Sequence, residues 1–230
     1  MIGGALNDHE KGAGPAWQRR TEGETRWAVS AAVVVAIGLQ LSLPDQYAMH
    51  PRWLLPSVGA ALLVATVVMN VRQEGRGSGA LRTTSLLLTG LLSLANVVSA
   101  VRLIDSLLGG HIENASLLLR WGGAIWLTNL VIFALWYWEL DRGGPAARAE
   151  GERRFPDLLF TQMATPEVAP PDWEPTFVDY FYLAFTNATA FSPTDVLPLT
   201  RWAKLLMLLE SAMSFSLVIL VIARAVNILN

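Results

Sequence analysis

Charged residues are missing from four long windows of this chain, and that spacing constrains the fold more than any motif does. Eighteen uncharged residues separate Arg26 from Asp45, nineteen separate Arg52 from Arg72, nineteen separate Arg82 from Arg102, and eighteen separate Arg120 from Glu139. A helix that crosses a hydrocarbon core needs roughly 20 mostly apolar residues. Four such windows exclude an ordinary soluble enzyme and a disordered chain. They also exclude an outer-membrane barrel, whose strands alternate in polarity and are about half as long. Only 16% of the 230 residues are charged, against about 25% in soluble domains.

The expected fold is therefore all-α, a polytopic membrane protein with four transmembrane helices followed by a C-terminal helical hairpin, five or six spans in all. The first 25 residues, polar and rich in Gly, read as a flexible tail; no short apolar core follows a basic start, as a cleavable signal would require. Residues 26–140 form the four-helix region, with segments at 27–43, 53–71, 83–108 and 117–140. The first stops at Pro44-Asp45. Residues 141–174 carry Pro, Gly and charge and read as a connector outside the membrane, with a short interfacial helix over 155–163. Residues 175–230 hold two apolar stretches around a turn that Pro193 and Pro198 keep from being helical.

Polar groups at membrane depth are expensive and point to function or to helix contacts. Asn96 and Asn129 are expected to hydrogen-bond between helices. Arg102 and Asp105 share a helix face and lie within pairing reach, or snorkel to the interface. Arg120 and Glu139 bracket the fourth segment as interface anchors, and Trp136-Tyr137-Trp138 are expected at the headgroup level. Glu210 has no basic residue within a turn and a half. It needs water, a partner on another helix, or a proton, and is read either as interface-hydrated or as facing an aqueous vestibule.

The remaining composition narrows the function. With no cysteine, neither a disulfide nor a thiolate metal site is possible. His9, His50 and His111 are isolated, so no metal is expected, and nothing implies a cofactor. The net charge of −2 argues against nucleic acid. No paired-carboxylate or Ser-His constellation is present, so no enzymatic site is expected.

The run Phe177-Val-Asp-Tyr-Phe-Tyr-Leu-Ala-Phe-Thr-Asn-Ala-Thr189, continued by Ala190-Phe191-Ser192-Pro193-Thr194-Asp195 and by Pro198, Thr200, Trp202, Ala203 and Lys204, resembles the pore region of the potassium-channel superfamily. The resemblance implies that 180–189 is a pore helix, that Thr189 precedes the filter, that Asp195 stands at the outer mouth and that 201–229 is the inner helix, with Ser214 where a hinge glycine often stands. It covers about a quarter of the chain. Its centre departs from the pattern, because Ala190-Phe191-Ser192-Pro193-Thr194 replaces Thr-Val-Gly-Tyr-Gly. Pro193 fixes φ near −65° and the two glycines that free the backbone are missing, so a standard carbonyl-lined potassium filter cannot form. The whole chain also resembles an uncharacterised bacterial family of multi-pass membrane proteins, through the strings Trp136-Tyr-Trp-Glu-Leu-Asp-Arg-Gly-Gly-Pro145 and Thr186-Asn-Ala-Thr-Ala-Phe-Ser-Pro-Thr-Asp195.

Basic residues favour the cytoplasmic side. If 176–191 crosses fully and the N-terminus is inside, Lys11, Arg19, Arg20, Arg26, Arg72, Arg76, Arg82, Arg142, Arg148, Arg153, Arg154 and Arg224 lie inside, against Arg52, Arg102, Arg120, Arg201 and Lys204 outside. A re-entrant loop followed by a helix ending inside would need the opposite orientation. The charge balance thus favours a short but complete sixth helix of about 24 Å.

These readings converge on an ion-channel-like protein of the bacterial inner membrane. It would be an oligomer, a tetramer by family analogy, passing monovalent cations along Thr189–Asp195 with Glu210 behind the filter. The alternative is a non-conducting relative that keeps the hairpin for packing, through small residues such as Ala184, Ala188, Ser211 and Ser214.

Overall fold

In the computed structural model the described residues are 15–48, 51, 53–72, 79–110, 112, 114–190 and 195–229. The chain is mostly helical. In order come α1 (Trp27–Leu41), α2 (Leu54–Arg72), α3 (Gly79–Leu108), α4 (Ala115–Leu140), the short α5 (Pro145–Ala149), strand β1 (Leu158–Phe160), the single turn α6 (Thr161–Ala164), α7 (Phe177–Ala190), strand β2 (Val196–Pro198) and α8 (Arg201–Leu229). Three helices, over Gly79–Leu108, Ala115–Gly143 and Arg201–Ile228, are long and apolar enough to cross a membrane, while the apolar runs Trp27–Leu41 and Pro56–Val68 are shorter.

α4 is the axis of the bundle. Its most apolar window is 61% buried, against 39% for α3 and 28% for α8. It packs against α1, α3, α7 and α8, and Ile125, Leu130, Ala134, Leu135 and Trp138 are all sealed from the surface. Its start is capped by Asn114, whose side chain accepts from the Leu117 N–H at 3.1 Å, an arrangement that satisfies one of the free donors of a helix N-terminus. Close packing on α8 depends on Gly122, where a Cβ would come within 2.8 Å of the Val221 side chain.

Cross-contacts fix which helix ends lie together. At one end, the connector end, Arg26 before α1 faces Glu139 near the end of α4 at 3.9 Å, and the Ser85 hydroxyl early in α3 donates to the same Glu139. At the opposite end, Tyr47 beyond α1 stacks on Trp121 early in α4 with ring centres 5.3 Å apart. There too Arg224 late in α8 donates to the carbonyls of Gly110 and Ile112 at 3.0 and 2.9 Å. Helices α1, α3 and α8 therefore run away from the connector end, and α4 runs back towards it.

The expected sixth crossing is absent, because α7 does not traverse the bundle. The N–H of Phe177 at its start donates to Glu24 at 2.9 Å, beside Trp138, so α7 begins at the connector end. Strand β2, which follows it, pairs antiparallel with β1 of the connector, Leu158 opposite Pro198 and Phe160 opposite Val196. Both limbs of this region therefore lie at the connector end. With 14 residues α7 is about 21 Å long, nearly the length of α1, so its course is decided by where its two ends lie and not by its length. It enters from one end, and the chain is back at that end by Asp195, where the Tyr182 hydroxyl donates to the Asp195 carboxylate at 3.1 Å. Charge counting favoured the short crossing helix because it fixed the last helix's end inside and did not weigh a loop that opens to the same side as the connector.

The connector is also more structured than its composition indicates. In place of a helix over 155–163, it forms β1 and then α6. Leu199 N–H extends the two-stranded ribbon by donating to the Asp157 carbonyl at 2.9 Å, so the helical protein carries one small antiparallel sheet. The expected flexible tail is in part built in. Residues 16–18 form a helical turn with Trp17 buried, and residues 1–14 lie outside the described set.

The turn that ends α4 sets the connector's course. Arg142 has φ 50°, and Gly143 and Gly144 have φ 86° and 97°, values that glycine adopts freely and other residues at a cost. A Cβ on Gly144 would stand 2.9 Å from the Glu139 carbonyl oxygen. Gly144→Ala is expected to destabilise the protein by about 1–3 kcal/mol. Gly123→Ala, which adds a methyl group to open space, is expected to be neutral or mildly stabilising. Thermal unfolding of the two variants in the same detergent checks the contrast.

Candidate functional site

The C-terminal string and the string at the end of α4 meet inside the bundle. Asn187, one turn from the end of α7, donates from its amide to the Met207 carbonyl at 2.9 Å and to Glu210 at 2.7 Å. Tyr137 of α4 donates its hydroxyl to the same Glu210 oxygen at 2.7 Å. Ser211 closes the cluster by donating to the Asn187 carbonyl and side-chain oxygens, both at 3.2 Å. Glu210 is completely buried. Its second oxygen, Oε1, has no hydrogen-bond partner among the described residues. The expectation of a hydrated or vestibule-facing Glu210 is thus replaced by a carboxyl that joins α4, α7 and α8 within one subunit. An unpartnered polar oxygen at such depth is costly, which makes the two donors on Oε2 structurally important.

A second polar chain crosses the bundle deeper in. Ser99 donates to Gln40 at 3.2 Å, Gln40 to Asn96 at 3.1 Å, Asn96 to Asn129 at 3.4 Å and Asn129 to Ser214 at 3.3 Å. Asn96 and Asn129 bond between helices, as expected, and Ser214, the hinge-equivalent position, is the α8 end of the chain. Gln40 and Ser99 are the members that sequence reasoning missed, Gln40 being the link between Ser99 and Asn96. Gln40 stands in the first charge-free window, one turn before Pro44, where it reads as a helix-end residue.

The third cluster anchors α7 at the connector end. The Asp141 carboxylate accepts from the N–H groups of Asp157 and Leu158 at 3.1 and 3.3 Å, and from the Tyr180 hydroxyl of α7 at 2.7 Å. Asp157 accepts from the Arg142 N–H at 2.8 Å and from the Trp202 indole of α8 at 3.1 Å. Arg148 donates to the Asp141 carbonyl at 3.1 Å and lies over the Tyr180 and Trp138 rings at 5.1 and 5.6 Å. Arg26 covers Trp138 at 5.1 Å, a cation–π contact. Burial pushes the Arg26 guanidinium below its ordinary pKa, and Glu139 opposes that shift. None of Asp141, Arg142, Arg148, Asp157 or Tyr180 was given a role in a buried cluster from sequence, although Asp141, Arg142 and Tyr180 lie in the strings that carry the resemblances. A charged run in a Pro/Gly-rich stretch reads as solvated, and only spatial pairing reveals otherwise.

Several expectations are corrected by these contacts. Tyr137 and Trp138 point inward and are fully buried, so they face protein and not lipid headgroups. Trp138 donates to Glu24 at 2.8 Å, and the half-buried Trp136 donates to Ser93 at 3.0 Å. Glu139 is no interface anchor but a buried acceptor for Ser85. Arg102 donates to the Ala48 carbonyl, tying α3 to the loop after α1 in place of pairing with Asp105.

The filter-equivalent residues divide. Thr189 is exposed, its hydroxyl turned back on the Phe185 carbonyl at 2.7 Å. Ala190 is the last residue of α7. Phe191, Ser192, Pro193 and Thr194 lie outside the described residues. Asp195 is exposed at the connector end, its carbonyl accepting from Thr161 at 2.9 Å. Beside the end of α7 a cavity of about 430 Å³ opens between α4 and α8, lined by Trp126, Ala188, Thr189 and Val221 among others and mostly apolar. Among the described residues no cluster of His, Cys, Asp or Glu could hold a metal ion.

Removing the Tyr137 hydroxyl leaves Glu210 with one donor. Tyr137→Phe is expected to cost about 1–3 kcal/mol. A double-mutant cycle with Glu210→Gln, read from unfolding in detergent, is expected to give a coupling of about 0.5–3 kcal/mol; additive effects would show that the bond carries no energy. Comparison with protein-family models, with curated proteins and with solved structures gives no match for this chain.

Proposed function

We propose that this chain is an ion-channel-like integral membrane protein in which α1, α2, α3, α4 and α8 cross the bilayer and α7 is a re-entrant pore helix of an oligomeric cation channel. The observation that carries the reading is the path of α7, which enters the bundle and leaves it at the same end. Non-helical backbone at membrane depth is tolerated only where protein covers it or water fills a cavity. The end of α7 lies beside the exposed Thr189 and an open, mostly apolar groove, a face that a second subunit would cover. Helices α1 and α2 are about 22 and 28 Å long, lengths a locally thinned bilayer accommodates.

Charge supports an orientation. Among the described residues Arg19, Arg20, Arg26, Arg72, Arg82, Arg142, Arg148, Arg153, Arg154, Arg201 and Lys204 gather towards the connector end, and Arg102, Arg120 and Arg224 towards the other. The bias towards the cytoplasm then puts the N-terminus, the connector and the mouth at Asp195 inside, and the end of α8 outside. The re-entrant loop would open to the cytoplasm, which reverses the sense that the potassium-channel resemblance implies. Asp195 would attract cations at that mouth, with Thr189 on the path. The non-conducting alternative draws support from Asn187 and Glu210, which are engaged inside one subunit.

Two measurements test the proposal. Arg154→Cys and Asn227→Cys, each an exposed position in this cysteine-free chain, are expected to react with a membrane-impermeant maleimide from opposite sides, 154 only after cell lysis. Labelling of both from one side would remove the five-span path. The purified protein in planar bilayers is expected to show unitary cation currents that Asp195→Asn lowers about two- to fivefold at low salt, where screening is weakest. Silence across lipids and voltages would favour the non-conducting reading.

A further inference from the structure

Residues 15–26, which precede α1, cross the connector end as a strap. At its start Trp17 is buried, with its carbonyl accepting from the Arg142 guanidinium. At its end Arg26 faces Glu139. Between these two points the strap touches the connector on either side of β1 and α6. The Thr21 N–H donates to the Ala149 carbonyl at 2.8 Å, and its hydroxyl donates to Glu174 at 3.0 Å. Arg19 donates to the Pro171 carbonyl at 3.5 Å, and Arg20 pairs with Glu150 at 3.2 Å. These contacts are exposed or half-buried, and exposed pairs contribute little.

Glu24 is the exception. Its two oxygens accept from the Phe177 N–H, both at 2.9 Å, and one of them also accepts from the Trp138 indole at 2.8 Å. Both donors belong to buried residues. Phe177 opens α7, and the first N–H groups of a helix have no partner within it. The carboxylate nearest in sequence, Asp179, is engaged by Thr176, accepting from its N–H and its hydroxyl at 2.8 Å. A carboxylate at this end of α7 is also favoured by the helix dipole. Lifting Glu24 away leaves two buried donors unmet at once, one on α7 and one on α4. Tyr180 on Asp141 and Asn187 on Glu210 are the other holds on α7, and both belong to the bundle and connector. Glu24 is the hold that comes from the N-terminal segment.

We infer that residues 15–26 are a strap that latches α7 through Glu24, so that displacing the N-terminal segment unseats the start of α7. Its use as a gate rests on the pore reading. There α7 carries Thr189, and its Tyr182 holds Asp195 at 3.1 Å, so a shift at the start of the helix reaches the mouth.

Hydrogen–deuterium exchange of the full-length protein in nanodiscs tests the latch. In Glu24→Ala the amides from 177 to 183 are expected to exchange about tenfold faster, while those of 125–135 in α4 keep wild-type protection. Glu24→Gln, which keeps one acceptor oxygen, is expected to fall between the two. Thr21→Val removes the hydroxyl that holds Glu174 and the Gly23 N–H. It is expected to speed the same amides about threefold, and it carries the test should Glu24→Ala fail to fold. Unchanged rates at 177–183 overturn the latch, as does a rise spread equally over α4 and α8. Planar-bilayer recording tests the gate separately. Glu24→Ala is expected to change the open fraction about threefold or more at an unchanged unitary current. An unchanged open fraction beside faster exchange overturns the gating role. A silent wild type overturns the pore reading instead, and exchange then decides the latch.

Discussion

The Asp141 carboxylate is the contact on which the rest of the arrangement depends. One side chain, one residue past the end of α4, accepts from two backbone N–H groups of the connector and from the hydroxyl of Tyr180 on α7. A buried carboxylate is tolerable only when its oxygens are satisfied, so the connector's path and the seat of α7 are set together. Arg148 and Arg142 supply the compensating charge, Arg148 from the Asp141 carbonyl and Arg142 from 3.9 Å away. Removal of one partner in such a cluster leaves an uncompensated charge, which is far more damaging than losing an exposed pair. The left-handed turn at Arg142, Gly143 and Gly144 follows from the same requirement, since it brings 157 and 158 back over the helix end that they bond to.

Two polar layers lie below that anchor and act differently. The layer of Tyr137, Asn187, Glu210 and Ser211 binds α7 to α4 and α8. The layer of Gln40, Asn96, Asn129 and Ser214 binds α1, α3, α4 and α8 without α7. In lipid, apolar side chains give helices little preference for one another over acyl chains, so directional bonds between amides and hydroxyls fix rotation and depth. The first layer, together with the Tyr180 bond to Asp141, holds α7 at a set depth.

Much of the helical framework was legible in the charge spacing. The windows beginning after Arg82 and Arg120 and the stretch after Arg201 anticipate α3, α4 and α8 to within a few residues, because a charge inside them would be costly whatever the tertiary structure. The interhelical roles of Asn96 and Asn129 were legible for the same reason. The path of α7 was not. A helix of 14 residues reads alike whether it crosses a thin bilayer or turns back, and only the pairing of Phe160 with Val196 across the ribbon decides it. The burial of Asp141, Arg148 and Asp157 was illegible because charge in a loop ordinarily means water, and the pairing that overrides this spans sixteen positions between Asp141 and Asp157. Glu210 was recognisable as exceptional, but its donors, Tyr137 and Asn187, sit on other helices.

The seat of α7 also bears on how the chain is made. This helix leaves the ribosome before α8. Its buried amide, Asn187, meets its acceptors only when Met207 and Glu210 have been synthesised. The final seat of α7 is therefore complete only once the first part of α8 is present beside α4. A nascent chain stopped before 207 would keep a membrane-anchored amino-terminal portion while α7 lacked its final seat, open to proteases and quality control until the last helix arrived.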